Sequence, residues 1–159
     1  MPWSSRLRRA RTVLLAVAAS AILAACASPL VVDPAPYAAD PRCASIMLGV
    51  PDAVGGLTMR DTSSQATTAY GERDPIVVRC GVEPPGPSTD QCVQVEADGV
   101  TQGWLVAEEA DVWRAVAFGR TPALEVTIPR VRADQAVGEL LGYFNGQAAR
   151  ADSNGLECR

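Results

Sequence analysis

Cys26 is the residue whose surroundings most clearly predict a chemical reaction. It follows Leu23, Ala24 and Ala25 at the end of an apolar run. This pattern is typical of a lipobox, where a bacterial signal peptide is cleaved and the new N-terminal cysteine receives lipid. The pattern therefore predicts a diacylglyceryl group attached through the sulfur of Cys26.

The residues before Cys26 have the order of charge and hydrophobicity that signal peptides share. Four arginines (Arg6, Arg8, Arg9 and Arg11) precede an apolar segment over residues 12–25. This segment is shorter than the roughly 20 apolar residues of a spanning helix. Cleavage is therefore favoured over an uncleaved anchor. We expect residues 1–25 to be a lipoprotein signal peptide. The mature chain would lie on the extracytoplasmic face of the bacterial plasma membrane, held there by lipid on Cys26.

The other cysteines support the same compartment. Lipidation of Cys26 leaves Cys43, Cys80, Cys92 and Cys158, and an even number outside the cytoplasm predicts two disulfides. Of the three pairings, we favour Cys80 with Cys92, because a Pro-rich loop separates them, and therefore Cys43 with Cys158. A zinc site is disfavoured, because the chain has no histidine and no C-x-x-C pair.

The composition argues against several classes of function. Without histidine the chain lacks the commonest general base and metal ligand, so we expect no catalytic residues, metal or cofactor. The carboxylates at Glu72 with Asp74, and at Glu108 and Glu109 with Asp111, are interpreted as solvated charges in turns. Removing the four leader arginines leaves ten against 18 acidic residues, a net charge of −8. Such an acidic domain is not expected to bind nucleic acid.

The mature chain is predicted to have two parts. Residues 26–42 contain four prolines and few large apolar side chains, which predicts an extended, solvated tether. Residues 43–159 are long enough for one hydrophobic core, and we expect a single extracytoplasmic domain there.

Periodicity within this domain predicts an α+β fold. A short helix is expected over residues 43–50, and an amphipathic helix from an N-cap at Asp134 to Ala148. Between them, alternating apolar residues predict an antiparallel meander of about five strands, at residues 75–82, 92–96, 101–108, 112–118 and 124–128.

Four side chains are candidates for binding. Arg79 alternates with apolar residues of its strand, and is expected to pair with Glu72 or Asp74 or, as the alternative, to bind an anion. Trp104 and Trp113 lie in neighbouring predicted strands and are expected to pack across the sheet, a sugar platform being the alternative. An enclosed pocket joining a tryptophan to Arg79 or Arg60 would favour a ligand.

Several motifs occur in order along the domain. They are Cys43, Leu48-Gly49-Val50-Pro51, Val54-Gly55-Gly56-Leu57 with Arg60, Tyr70-Gly71, Asp74-Pro75-Ile76-Val77-Val78-Arg79-Cys80-Gly81-Val82, Cys92 and Val126-Thr127-Ile128-Pro129. Together they resemble the actinobacterial family known as domain of unknown function 3515. The resemblance implies a small envelope-anchored protein and carries no activity or catalytic residue with it.

These patterns lead to one expectation of function. We expect a non-catalytic interaction module with a protein partner in the cell envelope. A lipoprotein that binds a small anion or sugar is the alternative, and an envelope hydrolase without histidine is a more distant one.

Overall fold

The computed structural model describes residues 28–132 and 136–158. The predicted signal peptide, Cys26 and the predicted N-cap Asp134 therefore lie outside the described residues. None of the helices in the described ranges is long and apolar enough to cross a membrane.

The described chain is mostly antiparallel sheet with a few short helices. Its elements are α1 (Pro41–Met47), β1 (Ala53–Val54), β2 (Leu57–Arg60), β3 (Thr67–Tyr70), β4 (Ile76–Val82), β5 (Cys92–Ala97), β6 (Val100–Glu108), β7 (Val112–Ala117), β8 (Arg120–Thr121), β9 (Ala123–Pro129), a 3₁₀ turn (Arg130–Arg132), α2 (Val137–Gly142), α3 (Asn145–Ala148) and β10 (Asp152–Ser153). Eight strands form one sheet in the order β1-β2-β3-β4-β9-β7-β6-β5, and β8 pairs with β10.

The sheet is larger than the predicted five strands and is not a simple meander. The five predicted strands correspond to β4, β5, β6, β7 and β9, whereas β1, β2 and β3 lie where no strand was predicted. Those strands have only two to four residues, too few for alternation to be recognised. After β4 the chain crosses to the far edge of the sheet, and β9 returns to pair with β4.

The sheet has one covered face and one open face. The side chains of Val78, Val126 and Ala115 lie on the first, which we call the helix face, and pack with Leu140 and Phe144 in the main core. Side chains alternate along each strand, so the intervening residues point to the opposite, open face. These include Val77, Arg79, Arg114, Val116, Glu125 and Thr127.

The two predicted helices occur with changed bounds. Asp40 caps α1 by accepting a hydrogen bond from the Arg42 amide at 2.9 Å, so this helix begins earlier than expected. The C-terminal helix is divided into α2 and α3. Its apolar stripe is buried as predicted, and a Cβ on Gly142 would lie 3.1 Å from that of Ala97, so glycine permits close approach to β5.

The disulfides pair Cys43 with Cys80 and Cys92 with Cys158, each with a Cα–Cα distance of 5.6 Å. The predicted pairing of Cys80 with Cys92, and of Cys43 with Cys158, is therefore wrong. In the sheet β9, β7 and β6 separate β4 from β5, a distance of about 19 Å at the usual strand spacing. No disulfide spans that distance.

Residues 28–40, here called the N-terminal segment, contact the domain instead of forming a solvated tether. Leu30 bridges to Thr62 in parallel fashion, and the Tyr37 amide donates a hydrogen bond to the Gly81 carbonyl at 2.8 Å. Ala35 and Ala38 are buried in a second, smaller apolar cluster. The prediction of a solvated tether is wrong for these residues, because their small apolar side chains fit against the sheet.

Candidate functional site

The open face carries an ion pair between Arg79 and Glu125, which lie directly opposite each other on β4 and β9. Nε and Nη2 of Arg79 donate to Oε1 of Glu125 at 2.8 and 2.7 Å. The prediction that Arg79 pairs with Glu72 or Asp74 is wrong, although an internal ion pair is present. Glu125 was missed because only the pairing of β4 with β9 brings it to Arg79.

A second ion pair lies beside the first. Arg114 on β7 pairs with Glu109, and its Nη1 lies 4.0 Å from Oε2 of Glu125. The Glu125 side chain is only 4% exposed, whereas that of Arg114 is 46% exposed. Two guanidinium groups thus face two carboxylates, and their charges cancel.

These pairs form the floor of a shallow depression of about 540 Å³. The N-terminal segment lines one side of it, through Leu30, Val31, Val32 and Asp33. The Asp33 carbonyl accepts a hydrogen bond from Nη1 of Arg79 at 3.4 Å. An anion would have to displace Glu125 from Arg79, so the geometry favours an internal ion pair over an anion site.

The two tryptophans do not face each other. Trp104 lies opposite Ala117, and Trp113 lies opposite Glu108, at the other end of the same strand pair. Trp104 is fully buried and donates from Nε1 to Oδ1 of Asn145 at 3.0 Å. Trp113 is partly buried beneath the guanidinium of Arg130, whose Cζ lies 5.5 Å from the ring centroid. Trp104 therefore offers no ring face to a sugar.

Arg60 is the last residue of β2 and lies near the β1 edge of the sheet. Its guanidinium donates to the carbonyls of Ser28 and Glu72, both at 3.4 Å, and lies 3.4 Å from the Glu72 carboxylate. With Pro29, Met59 and Asp61 these residues line a depression of about 260 Å³. Neither tryptophan lines this depression or the one beside Arg79, so the predicted convergence of arginine and tryptophan does not occur there.

A small cleft beside the N-terminal segment is lined by Tyr37 and Asp40, and the pKa values of both side chains are shifted. A hydrogen bond from Tyr37 to Glu83, together with the charge of Glu83, raises the pKa of the Tyr37 hydroxyl. Arg42 donates to Asp40 and holds the pKa of that carboxyl below its usual value. Arg42 also donates to Asp152 at 2.8 Å, which ties the start of α1 to β10. These contacts are structural, because each carboxylate of the Arg42 cluster is already paired.

A groove lies beside the Cys92–Cys158 disulfide. Residues 87–90 and 155–158 form its sides, Leu105 and Phe118 line it with the disulfide cysteines Cys92 and Cys158, and its volume is about 470 Å³. Within the described ranges, no three acidic or cysteine side chains are grouped so that they could hold a metal ion.

The family described as Protein of unknown function (DUF3515) has a model that matches residues 10–151. The chain belongs to the DUF3515 family. This confirms the resemblance drawn from the motifs around Arg79-Cys80-Gly81-Val82. No curated protein and no solved structure matches this DUF3515 chain. The actinobacterial source stays a prediction.

The ion pairs of this DUF3515 protein predict unequal effects of two matched substitutions. Arg79→Met should lower the free energy of unfolding by about 3 kcal/mol, because it leaves the buried Glu125 carboxylate without its partner. Arg114→Met should cost less than about 1 kcal/mol, because that pair is exposed. Urea denaturation at pH 7 measures both. Equal losses would contradict a central role for the Arg79–Glu125 pair.

Proposed function

We propose that this protein is a lipid-anchored, non-catalytic module of the bacterial cell envelope that binds another envelope protein through the open face of its sheet. The observation that carries the proposal is the charge neutralisation on this face. Arg79 and Arg114 are each paired with a glutamate, so the surface presents polar groups held in fixed positions. Arginine is enriched at protein interfaces, where fixed side chains lose little entropy on binding.

The alternatives have less support. A small anion would compete with Glu125 for Arg79, and a sugar would lack the ring of Trp104, which is buried. A hydrolase would need an activated nucleophile, and the chain has no histidine to supply a general base. The exposed depression between the N-terminal segment and β9 remains the best contact surface for a macromolecule.

Site-directed crosslinking in the native envelope tests the proposal. A photoreactive residue at Val31, which is 83% exposed and lines the depression, should give one dominant crosslinked protein. The matched control is Leu48, which is 88% exposed and follows α1 on the other face of the sheet. If both positions yield the same set of neighbours, the open face is not a specific interface.

Lipidation makes a separate prediction for Cys26. The mature protein purified from membranes should begin at Cys26 and should have the mass of the chain plus a diacylglyceryl group. Cys26→Ser should show no such adduct, because serine cannot form the thioether. Intact-mass spectrometry measures both chains. A mature chain that still contains Met1 to Ala25 would overturn the lipobox interpretation.

A further inference from the structure

Very little chain separates Cys26 from the folded domain. The Ser28 carbonyl accepts a hydrogen bond from Arg60. Two residues later, both the amide and the carbonyl of Leu30 are hydrogen-bonded to the domain. The Leu30 amide donates to the Asp61 carbonyl at 2.9 Å, and the Ser63 amide donates to the Leu30 carbonyl at 2.8 Å. Only Ala27 stands between Cys26 and Ser28, and because consecutive Cα atoms are 3.8 Å apart, this link spans at most about 8 Å.

The rest of the N-terminal segment is held equally well. The Val32 amide donates to Oγ of Ser63 at 3.0 Å, and the carbonyl of Val32 accepts from Oγ of Ser64. Further on, Gly81 has a φ of +91°, and a Cβ there would collide with the backbone of Tyr37. The segment is thus held along its length, from Ser28 beside Arg60 to Tyr37 beside Gly81.

We propose that lipid on Cys26 holds this domain against the membrane by one fixed corner, rather than suspending it on a flexible linker. The membrane corner is formed by Ser28, Pro29, Met59, Arg60, Asp61 and Glu72. This inference rests on the proposed lipidation and adds to it an orientation. The partner of the membrane corner is the headgroup layer of a phospholipid bilayer.

The charge distribution favours the same orientation. The far edge strand β5 and the residues that flank it contain Asp90, Glu96 and Asp98, and no arginine occurs between residues 80 and 113. Around the membrane corner acidic residues alternate with Arg60 and Arg73, and Arg132 donates from Nε to the Asp74 carbonyl at 3.1 Å. Anionic lipid therefore repels the β5 edge more than the membrane corner.

The sheet also separates the two edges. Six inter-strand spacings lie between β2 and β5, which correspond to about 29 Å in a flat sheet. A domain held at the membrane corner therefore carries β2 near the headgroups and β5 well above them. The depression beside Arg79 lies close to the membrane corner, because Leu30 lines its side.

Fluorescence quenching tests this orientation with a matched pair of labels. Glu72→Cys and Glu96→Cys replace exposed glutamates at the membrane corner and on β5, and each is labelled on the lipidated full chain. The proteins are reconstituted in phosphatidylcholine and phosphatidylglycerol vesicles that contain a lipid with a nitroxide headgroup. The label at 72 should be quenched at least threefold more than the label at 96. Val31→Cys, at a position 83% exposed, provides a second label that is expected to lie close to the membrane.

A linker variant supplies the control. Inserting 15 Gly and Ser residues between Ala27 and Ser28 should remove most of the difference between the two labels, because the domain then moves freely. Equal quenching of the two labels, or an unchanged difference after the insertion, overturns the fixed orientation. The intact mass of the mature chain distinguishes the proposed lipidation from the proposed orientation. A chain without lipid overturns both, whereas a lipidated chain with equal quenching overturns the orientation alone.

Discussion

Replacing Asn145 with leucine is expected to lower the free energy of unfolding by about 4 kcal/mol. The Asn145 side chain is buried at the start of α3. Its Oδ1 accepts from Nε1 of Trp104 at 3.0 Å, and its Nδ2 donates to the carbonyls of Val95 and Val100 at 2.8 and 3.0 Å. Leucine has a similar volume and makes none of these bonds, so two buried polar groups and one partly buried carbonyl would lose their partner.

The same geometry assigns Asn145 a structural role that periodicity alone does not predict. It joins α3 to both strands of the β5–β6 hairpin, which lies far away in sequence. Chemical denaturation followed by tryptophan fluorescence measures the loss. The control is Gln94→Leu on the exposed side of β5, which should change stability by less than about 0.5 kcal/mol. If Asn145→Leu is as stable as the control, the buried amide does not hold the helix on the sheet.

Removing either disulfide is expected to lower the free energy of unfolding by about 4 kcal/mol, since each closes a long loop in the unfolded chain. The sequence separations are 37 residues for Cys43–Cys80 and 66 residues for Cys92–Cys158. Double alanine variants avoid a free thiol. The variant without Cys43 and Cys80 should lose more, because these cysteines are buried in the main core and their removal also leaves a cavity.

The pairing itself is measured by peptide mapping without reduction. Cleavage after Glu83 separates Cys80 from Cys92, so the two bonds appear in different linked peptides. The peptide with Cys43 should be linked to that with Cys80. In the single variant Cys43→Ala, the free thiol should be found on Cys80. A free thiol on Cys158 would instead show that the ends of the domain are bridged.

Local patterns in the sequence predicted the longer elements well. Alternating apolar residues identified β4, β5, β6, β7 and β9, because a strand with one buried face has a period of two. Helical spacing likewise identified the buried stripe of Leu140, Leu141, Phe144 and Ala148. The motifs around Cys80 identified the family, which the family model confirms. Each of these features can be recognised from neighbouring residues alone.

Strand order could not be predicted from the same patterns. Alternation says which residues share a face and does not say which strands are neighbours. The chain crosses from β4 to β5 at the opposite edge of the sheet. The pairing of β4 with β9 then decides that Arg79 meets Glu125 and that Cys80 cannot reach Cys92.

The packing of the N-terminal segment on the domain could not be predicted from local patterns either. Its prolines and small residues predicted a solvated tether because no local pattern marks a segment that fills space on another element. Only the folded sheet provides the surface on which Ala35 and Ala38 are buried and the carbonyl of Gly81 that binds Tyr37. Neighbouring residues were thus enough to predict the longer elements and the family, and they carry the expectation of lipid on Cys26. How the N-terminal segment packs on the sheet depends on long-range contacts, which have no local signature.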